Sequence, residues 1–371
     1  MKVQLHGQVQ QYRTVSFDVQ RNVVRLIDQR LLPHEFRLVE LKDYQETAQA
    51  IKDMVVRGAP AIAATAAYGL AQGVRAFQEN QGVPLADYVH HVENTLARAR
   101  PTAVDPQNAI QTVLRFMKAG RSLAEQQALA LQVAEQFAQA SVEECLALGR
   151  HGAPLIKEGM RILTHCNAGW LACVDVGTAT APLYAAHQAG RRFHVFCDET
   201  RPRCQGASLT AWELHQEGIS HEVIADNAAG HLMQRGEIDL VIVGSDRTLG
   251  RTGQVANKIG TYTKAVLAHR HNIPFYVAIP LSTLDWRMKD GLAIPIEERE
   301  EEEVLGAWGV PPGKPADQRC YVRIANPGSH ARNPGFDVTP PELITGIITP
   351  VGIFRPQELW ENRHRLGGPV E

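Results

Sequence analysis

The chain lacks the marks of several large classes of protein. Its six cysteines stand singly at positions 145, 166, 173, 197, 204 and 320, with no Cys-x-x-Cys pair and no Cys/His zinc spacing. In a chain of 371 residues they read as the reduced thiols of a cytoplasmic protein. A His-Glu-x-x-His pair is missing too, so the sequence implies no metal. No stretch approaches the ~18 apolar residues of a membrane span, and residues 1–17 are too polar for a signal peptide. A net charge of −2 without a long basic block argues against a nucleic-acid surface. Neither a Gly-x-Gly-x-x-Gly turn after the first strand of the second half nor a Walker A sequence occurs, which points away from NAD and nucleoside triphosphates. There is no internal repeat and no low-complexity segment. The acidic cluster Glu297, Glu298 and 300–303 reads as a solvated helix face or loop.

The periodicities that are present divide the chain in two, as its length allows at roughly 150 residues per domain. Alternating and apolar runs over 15–41 predict a small β-meander. Apolar residues at i, i+3, i+4 then predict helices over 43–56, 60–77, 85–99, 107–118 and 123–148. Gly69 and Gly73 weaken the later turns of the second. From about residue 149, strands alternate with helices: strands 161–165, 193–197, 222–225, 240–244 and 275–279, helices 178–188, 206–216, 230–236 and 256–271, then a Pro/Gly-rich tail. The expectation is an α/β protein: a mainly helical domain with a meander over 1–148, then a Rossmann-like parallel-sheet domain over 149–371.

Polar motifs cluster at the carboxyl ends of those strands, where open α/β sheets bind ligands. Arg57-Gly58-Ala59-Pro60 opens a helix, with proline suited to its first turn and free amides suited to an anion. The competing reading is a tight helix entry beside an arginine paired elsewhere. Arg100 ends a helix, either clamping a phosphate or answering the helix dipole. Cys166 leaves an apolar strand between His165 and Asn167, a setting that tunes a thiol; most free cysteines are inert core residues. Asp246 stands at the lip of Val241-Ile242-Val243-Gly244, where desolvation makes a general acid. A helix N-cap is the alternative. Asp198 and Glu199 share that ambiguity. Gln205 and Asn257-Lys258 offer hydrogen bonds to sugar hydroxyls and phosphate, or are ordinary surface groups.

In combination these motifs resemble the methylthioribose-1-phosphate isomerase family, which is related in fold to regulatory subunits of the eukaryotic translation-initiation guanine-nucleotide exchange factor. The likeness runs from Leu26-Ile27-Asp28-Gln29-Arg30 through Val55–Ile62, Arg100-Pro101-Thr102-Ala103, Thr164–Gly169, Asp198–Pro202, Gln205-Gly206-Ala207, Leu209-Thr210-Ala211 and Asn257–Tyr262 to Thr339–Leu343. It implies a homodimer that isomerises a sugar phosphate without metal or nucleotide. It also implies Cys166 as catalytic thiol and Asp246 as catalytic acid, with Arg57, Gly58, Ala59, Arg100, Gln205, Asn257 and Lys258 binding substrate. Three departures stand out: Ser208 where many members carry arginine, Ser245 for a frequent alanine, and a longer stretch over 248–254 with Gln254 where aspartate is usual. Competing expectations are a sister isomerase of ribose 1,5-bisphosphate or a 5-deoxyribose 1-phosphate, and a regulatory interaction protein.

Overall fold

An antiparallel hairpin, β1 (Lys2–Leu5) and β2 (Gln8–Gln11), opens the chain. Its polar sequence gives no sign of a strand, and all four residues of β2 are exposed. Docking holds it: Val3 is buried in the sheet-side core, and the Gln4 N–H donates to Gln216 Oε1 at 2.8 Å. The expected meander follows as β3 (Val15–Asp18), β4 (Val23–Ile27) and β5 (Leu38–Leu41). The computed structural model describes every residue except 6, 101–103 and 370–371.

Five helices come next: α1 (Tyr44–Lys52), α2 (Ala59–Ala76), α3 (Leu85–Ala99), α4 (Val104–Met117) and α5 (Leu123–Gly152). Asp43 caps α1 by accepting the Glu46 N–H, and Ser122 caps α5 by accepting that of Glu125. Alanine-rich α2 is buried almost all round, as a central helix must be. Gly69 and Gly73 do not interrupt it. A Cβ at Gly69 would lie 2.8 Å from Thr47 Cγ2, and one at Gly73 2.7 Å from Val92 Cγ1. The glycines let α1 and α3 approach closely, and that packing outweighs their poor helix propensity.

The second half runs β6 (Arg161–Thr164), α6 (Ala181–Gln188), β7 (His194–Asp198), α7 (Ala211–Gln216), β8 (Ser220–Ile224), α8 (Ala228–Gln234), β9 (Leu240–Val243), β10 (Arg247–Leu249), β11 (Val255–Lys258), α9 (Thr261–Arg270) and β12 (Phe275–Ala278). It continues through β13 (Leu284–Asp285), α10 (Glu302–Leu305), β14 (Gly306–Gly309), β15 (Cys320–Arg323), β16 (Phe336–Thr339), β17 (Gly346–Thr349), β18 (Gly352–Phe354) and α11 (Glu358–Glu361). The central sheet has the order β18-β17-β12-β9-β6-β7-β8 and is parallel except at β18. The α/β class is as expected.

Two expectations are corrected. Residues 256–258, read as the start of a helix, form β11, which pairs with β10 and β16 in a second sheet ordered β13-β10-β11-β16. All four β11 residues are buried, and α9 begins only after Gly260, whose φ of +103° breaks the strand. The Pro/Gly-rich tail, for which no strand was expected, supplies one: β17 joins the central sheet beside β12. Its short Gly-Ile-Ile-Thr run between prolines carries too little period to read as a strand.

Candidate active site

The tips of β6 and β7 present the thiol. Cys166 has φ +66° and Thr200 has φ +65°, left-handed conformations that residues other than glycine rarely adopt. Hydrogen bonds compensate. The Cys166 N–H donates to Thr200 Oγ1 at 2.8 Å, Thr200 Oγ1 donates to the Asp198 carbonyl at 3.0 Å, and Thr210 Oγ1 donates to the Cys166 carbonyl at 2.7 Å. Such over-determined strain concentrates at functional sites. Cys166 is half-buried and lines a cavity of about 630 Å³ between the helical and sheet halves. Cys173 and Cys204 also line it, but their thiols are pushed up, the first by a hydrogen bond with Cys145 and then burial, the second by burial. That makes them poorer proton carriers and nucleophiles.

The anion side is built where α2 begins. Gly58 has φ +94°, and a Cβ there would lie 2.4 Å from Ala172 Cα, so only glycine fits. Ala59 opens the helix, Pro60 occupies its first turn, and no side chain caps it. Arg57 is not paired with an acid. Its guanidinium donates to Asn167, at 2.6 Å to Oδ1 and 3.1 Å to the carbonyl. Asn167 in turn donates to Glu213 Oε1 at 2.9 Å. Arg100 lines the cavity without a hydrogen bond or ion pair to any described residue, and burial pulls its pKa down. Lys258, on β11, is 3% exposed and its Nζ has no partner among the described residues; burial draws its pKa down as well. Gln205 Oε1 is likewise buried and unpartnered. Asn257 Nδ2 donates to Thr261 Oγ1 at 3.0 Å, leaving its carboxamide only partly free for a ligand. A buried ammonium lacking an acceptor and a buried amide oxygen lacking a donor mark places for a ligand's phosphate and hydroxyl oxygens.

Asp246 faces them from the end of β9. Its N–H donates to the Ala256 carbonyl at 3.0 Å and the chain enters β10, so it caps no helix. Its surface is open to the cavity, yet the surrounding walls desolvate the carboxyl and raise its pKa, against the pull of Arg247, Arg299 and Arg100. Asp105, in the first turn of α4, is pushed up to about 7 by burial and then by Asp246.

Cys166, Asp246, Arg57, Gly58, Ala59, Arg100, Gln205, Asn257 and Lys258 therefore border one cavity, whereas Asp198 and Glu199 do not line it. Sequence reading missed several others that do: Arg30, Arg203, Arg299, Arg319 and Glu303. With Arg57, Arg100 and Lys258 the basic groups outnumber Asp53, Asp246 and Glu303, so the enclosed field favours an anion. Glu303 belongs to the acidic run read as solvated. It instead turns inward, 3.0 Å from Arg203 and 3.0 Å from Asn333 Nδ2. Glu213 was missed too, although an acid amid Leu209, Trp212 and Leu214 is a sequence sign of a buried polar network. Of the departures, Ser208 and Ser245 line the cavity, whereas residues 248–254 lie outside its lining; there Gln254 Oε1 accepts from Thr252 Oγ1 and the Gly291 N–H. Asp198 lies behind the site, bonded to His165 and Lys264. His165, Asp198 and Asp226 bring ligand atoms within 4.8 Å of one another, a metal-like grouping. Most of their atoms are otherwise engaged: Asp226 accepts the N–H groups of Thr200 and Arg201, and the Lys264 ammonium occupies Asp198 Oδ2, so that only Asp198 Oδ1 is left without a partner among the described residues. A cation fits poorly there.

Fold and cavity together define an α/β protein with a cleft for a small, anion-bearing ligand. The chain belongs to the Initiation factor 2 subunit family, whose model matches residues 55–356. It is 48% identical over 352 residues to a methylthioribose-1-phosphate isomerase of Methylorubrum populi, covering 92% of this chain and 93% of that one. A solved 5-methylthioribose 1-phosphate isomerase of Pyrococcus horikoshii superposes with a TM-score of 0.86 at 41% identity, covering 96% of each chain. A protein of A. fulgidus described as translation initiation factor eIF-2B subunit delta gives a TM-score of 0.82 at 40% identity, covering 94% of this chain and 97% of that one.

Proposed function

We propose that this chain is an aldose–ketose isomerase converting 5-methylthioribose 1-phosphate to 5-methylthioribulose 1-phosphate in methionine salvage. The observation that carries the reading is one cavity holding the Cys166 thiol, the desolvated Asp246 carboxyl and the unpartnered Lys258 ammonium. The names of the relatives agree with it. Residues 1–148 and 149–371 serve as its two domains, and the protein acts as a cytoplasmic homodimer.

The substrate's phosphate caps the anomeric oxygen, so the ring does not open by the ordinary route to a free aldehyde. Lys258, Arg100, Asn257 and the amide end of α2 at Gly58 and Ala59 hold that phosphate, with Arg57 shaping the pocket through Asn167; Gln205 binds a sugar hydroxyl. Asp246, kept protonated by desolvation, gives its proton to the ring oxygen as the bond from C1 to that oxygen breaks. The C2 hydrogen then moves to C1, and the C2 hydroxyl returns its proton to Asp246 as the ketone forms. Cys166 lies across the sugar and either shuttles the carbon-bound proton or stabilises the charge as hydride passes directly. In deuterated water, label at C1 identifies a proton route that exchanges with solvent, and its absence counts against that route.

A bisphosphate substrate would need a second free basic pocket. The outer arginines do not supply one: Arg30 is paired with Asp28, Arg203 with Glu303, and Arg319 donates to the Arg30 carbonyl. Met54, Ile62 and Leu209 give the cavity the apolar lining that a methylthio group requires. Turnover of 5-methylthioribose 1-phosphate by the purified protein tests the reading, beside Cys166→Ser and Asp246→Asn. Both variants should fold and lose at least about 10²-fold in kcat. A folded parent that turns over no substrate overturns it and favours a binding role.

A further inference from the structure

His165 precedes the thiol-bearing residue and is buried, 1% exposed. Its ring nitrogens reach two different elements. Nδ1 lies 2.8 Å from Asp198 Oδ2, which also takes the Lys264 ammonium at 3.1 Å. Nε2 lies 2.8 Å from the carbonyl of Ile259, the residue after Lys258. A carbonyl oxygen only accepts, so Nε2 carries the hydrogen in this contact.

The contact joins parts of the chain that strand pairing leaves separate. β6, whose tip bears Cys166, belongs to the central sheet, and β11, which ends in Asn257 and Lys258, to the smaller one. Two features fit the ring to its place. A Cβ at Gly260 would come 3.0 Å from His165 Cε1, so glycine there leaves room for the imidazole. On the loop's other side, Asp337 accepts the N–H groups of Gly260 at 2.7 Å and Tyr262 at 3.1 Å, which holds the Ile259 carbonyl toward the ring. The Lys258 ammonium has no hydrogen-bond partner among the described residues to fix it. Its place is set through its backbone.

We propose that His165 is a positioning residue: by donating to the Ile259 carbonyl it sets the spacing between the Cys166 thiol and the Lys258 ammonium across the cavity. The rate arm of the test rests on the isomerase reading; a second arm does not. A glutamine side chain brings its amide nitrogen near the place of Nε2 and keeps the Ile259 bond, whereas asparagine reaches only the place of Nδ1 and keeps Asp198. His165→Gln should hold kcat and KM within about fivefold, and His165→Asn should lose about 10²-fold in kcat with a smaller rise in KM, about tenfold at most, because the phosphate still binds a shifted Lys258 while the reacting carbons no longer meet the thiol. Equal kcat in the two variants, or a loss that simply follows their Tm, overturns the proposal.

If neither variant folds, the wild-type chain decides, labelled with 15N-histidine and 13C-carbonyl isoleucine. A protonated ring nitrogen dipolar-coupled to an isoleucine carbonyl is expected, and a bare Nε2 overturns the tie. A parent without turnover fails the isomerase reading and leaves this spectrum to judge the contact.

Discussion

Arg57, from the helical half, donates to Asn167 Oδ1 at 2.6 Å at the tip of β6. The hydrogen bond continues inward, because Asn167 is held by Glu213, which also accepts the N–H groups of Trp170 and Leu171 and the Tyr184 hydroxyl. Glu213 is fully buried, and burial raises its pKa while these four donors oppose the rise. The network stabilises both the fold and the site. Glu213→Ala strands several donors and should lower stability by about 3–5 kcal/mol, read by denaturant unfolding. Asn167→Ala spares most of that network but takes from Arg57 its shortest hydrogen bond, leaving the longer ones to the carbonyl of residue 167. Its expected signature is a KM raised about tenfold with a Tm change small beside that of Glu213→Ala; an unchanged KM would remove Arg57 from substrate binding.

Lys258 presents the opposite trade. Its ammonium is buried without a partner, so it costs stability in the empty protein and is retained for the ligand. Lys258→Met should raise Tm while raising KM by about 10²-fold or more, the loss of a charged hydrogen bond. The sign with pH follows from its lowered pKa. A folded-state pKa below the unfolded value favours the neutral form, so the wild type loses stability relative to the variant as pH falls from about 10. Thermal melts of both proteins between pH 7 and 10 check this; parallel curves would contradict it.

Asp105 and Asp246 give a second pH dependence. Both carboxyls are raised in the folded state, Asp105 from 3.8 to about 7. Their neutral forms are favoured, so their stability contribution is complete below pH 4 and is lost as pH rises through the folded values. At about 1.4 kcal/mol per pH unit, the Asp105 shift corresponds to a loss of the order of 4–5 kcal/mol by pH 8. Asp105→Asn should therefore melt higher than wild type at pH 8 and nearly the same at pH 4. In activity, kcat should fall with rising pH as Asp246 ionises.

The helices of the first half were legible because their apolar period is undisturbed, even where Gly69 and Gly73 argue against it. Strand tips were legible for the same reason: apolar runs ending at His165, Cys197 and Gly244 mark one sheet edge, and Cys166 and Asp246 stand at it. What the pattern concealed depends on tertiary pairing. Ala256-Asn257-Lys258 has no period of its own and becomes a strand only beside Arg247–Leu249 and Phe336–Thr339. Arg299 and Glu303 lie in a charged run whose composition reads as solvent-facing, and only the turn of the chain over the cavity brings them in. Arg57 lines the cavity, and the competing idea of an acid paired with it does not hold among the described residues: its partner is an amide, which no spacing reveals.

Gly58 offers the most severe test of the helix-entry reading. Its φ of +94° is one that alanine adopts only under strain, and the added methyl would overlap both Cα and the carbonyl oxygen of Ala172 at 2.4 Å. Neither is a flexible side-chain end, so relief requires the start of α2 or the 170–172 turn to move. Gly58→Ala should cost about 1–3 kcal/mol in backbone strain alone, and the displaced amides should raise KM for the sugar phosphate by about tenfold or more. Ala59→Gly on the same turn adds no atom and keeps the amide, so it should change KM less than about threefold while loosening the helix slightly. Calorimetry for stability and steady-state kinetics for KM read both variants. A native KM in the Gly58→Ala variant would mean that the phosphate lies away from this helix end, on Lys258 and Arg100 alone.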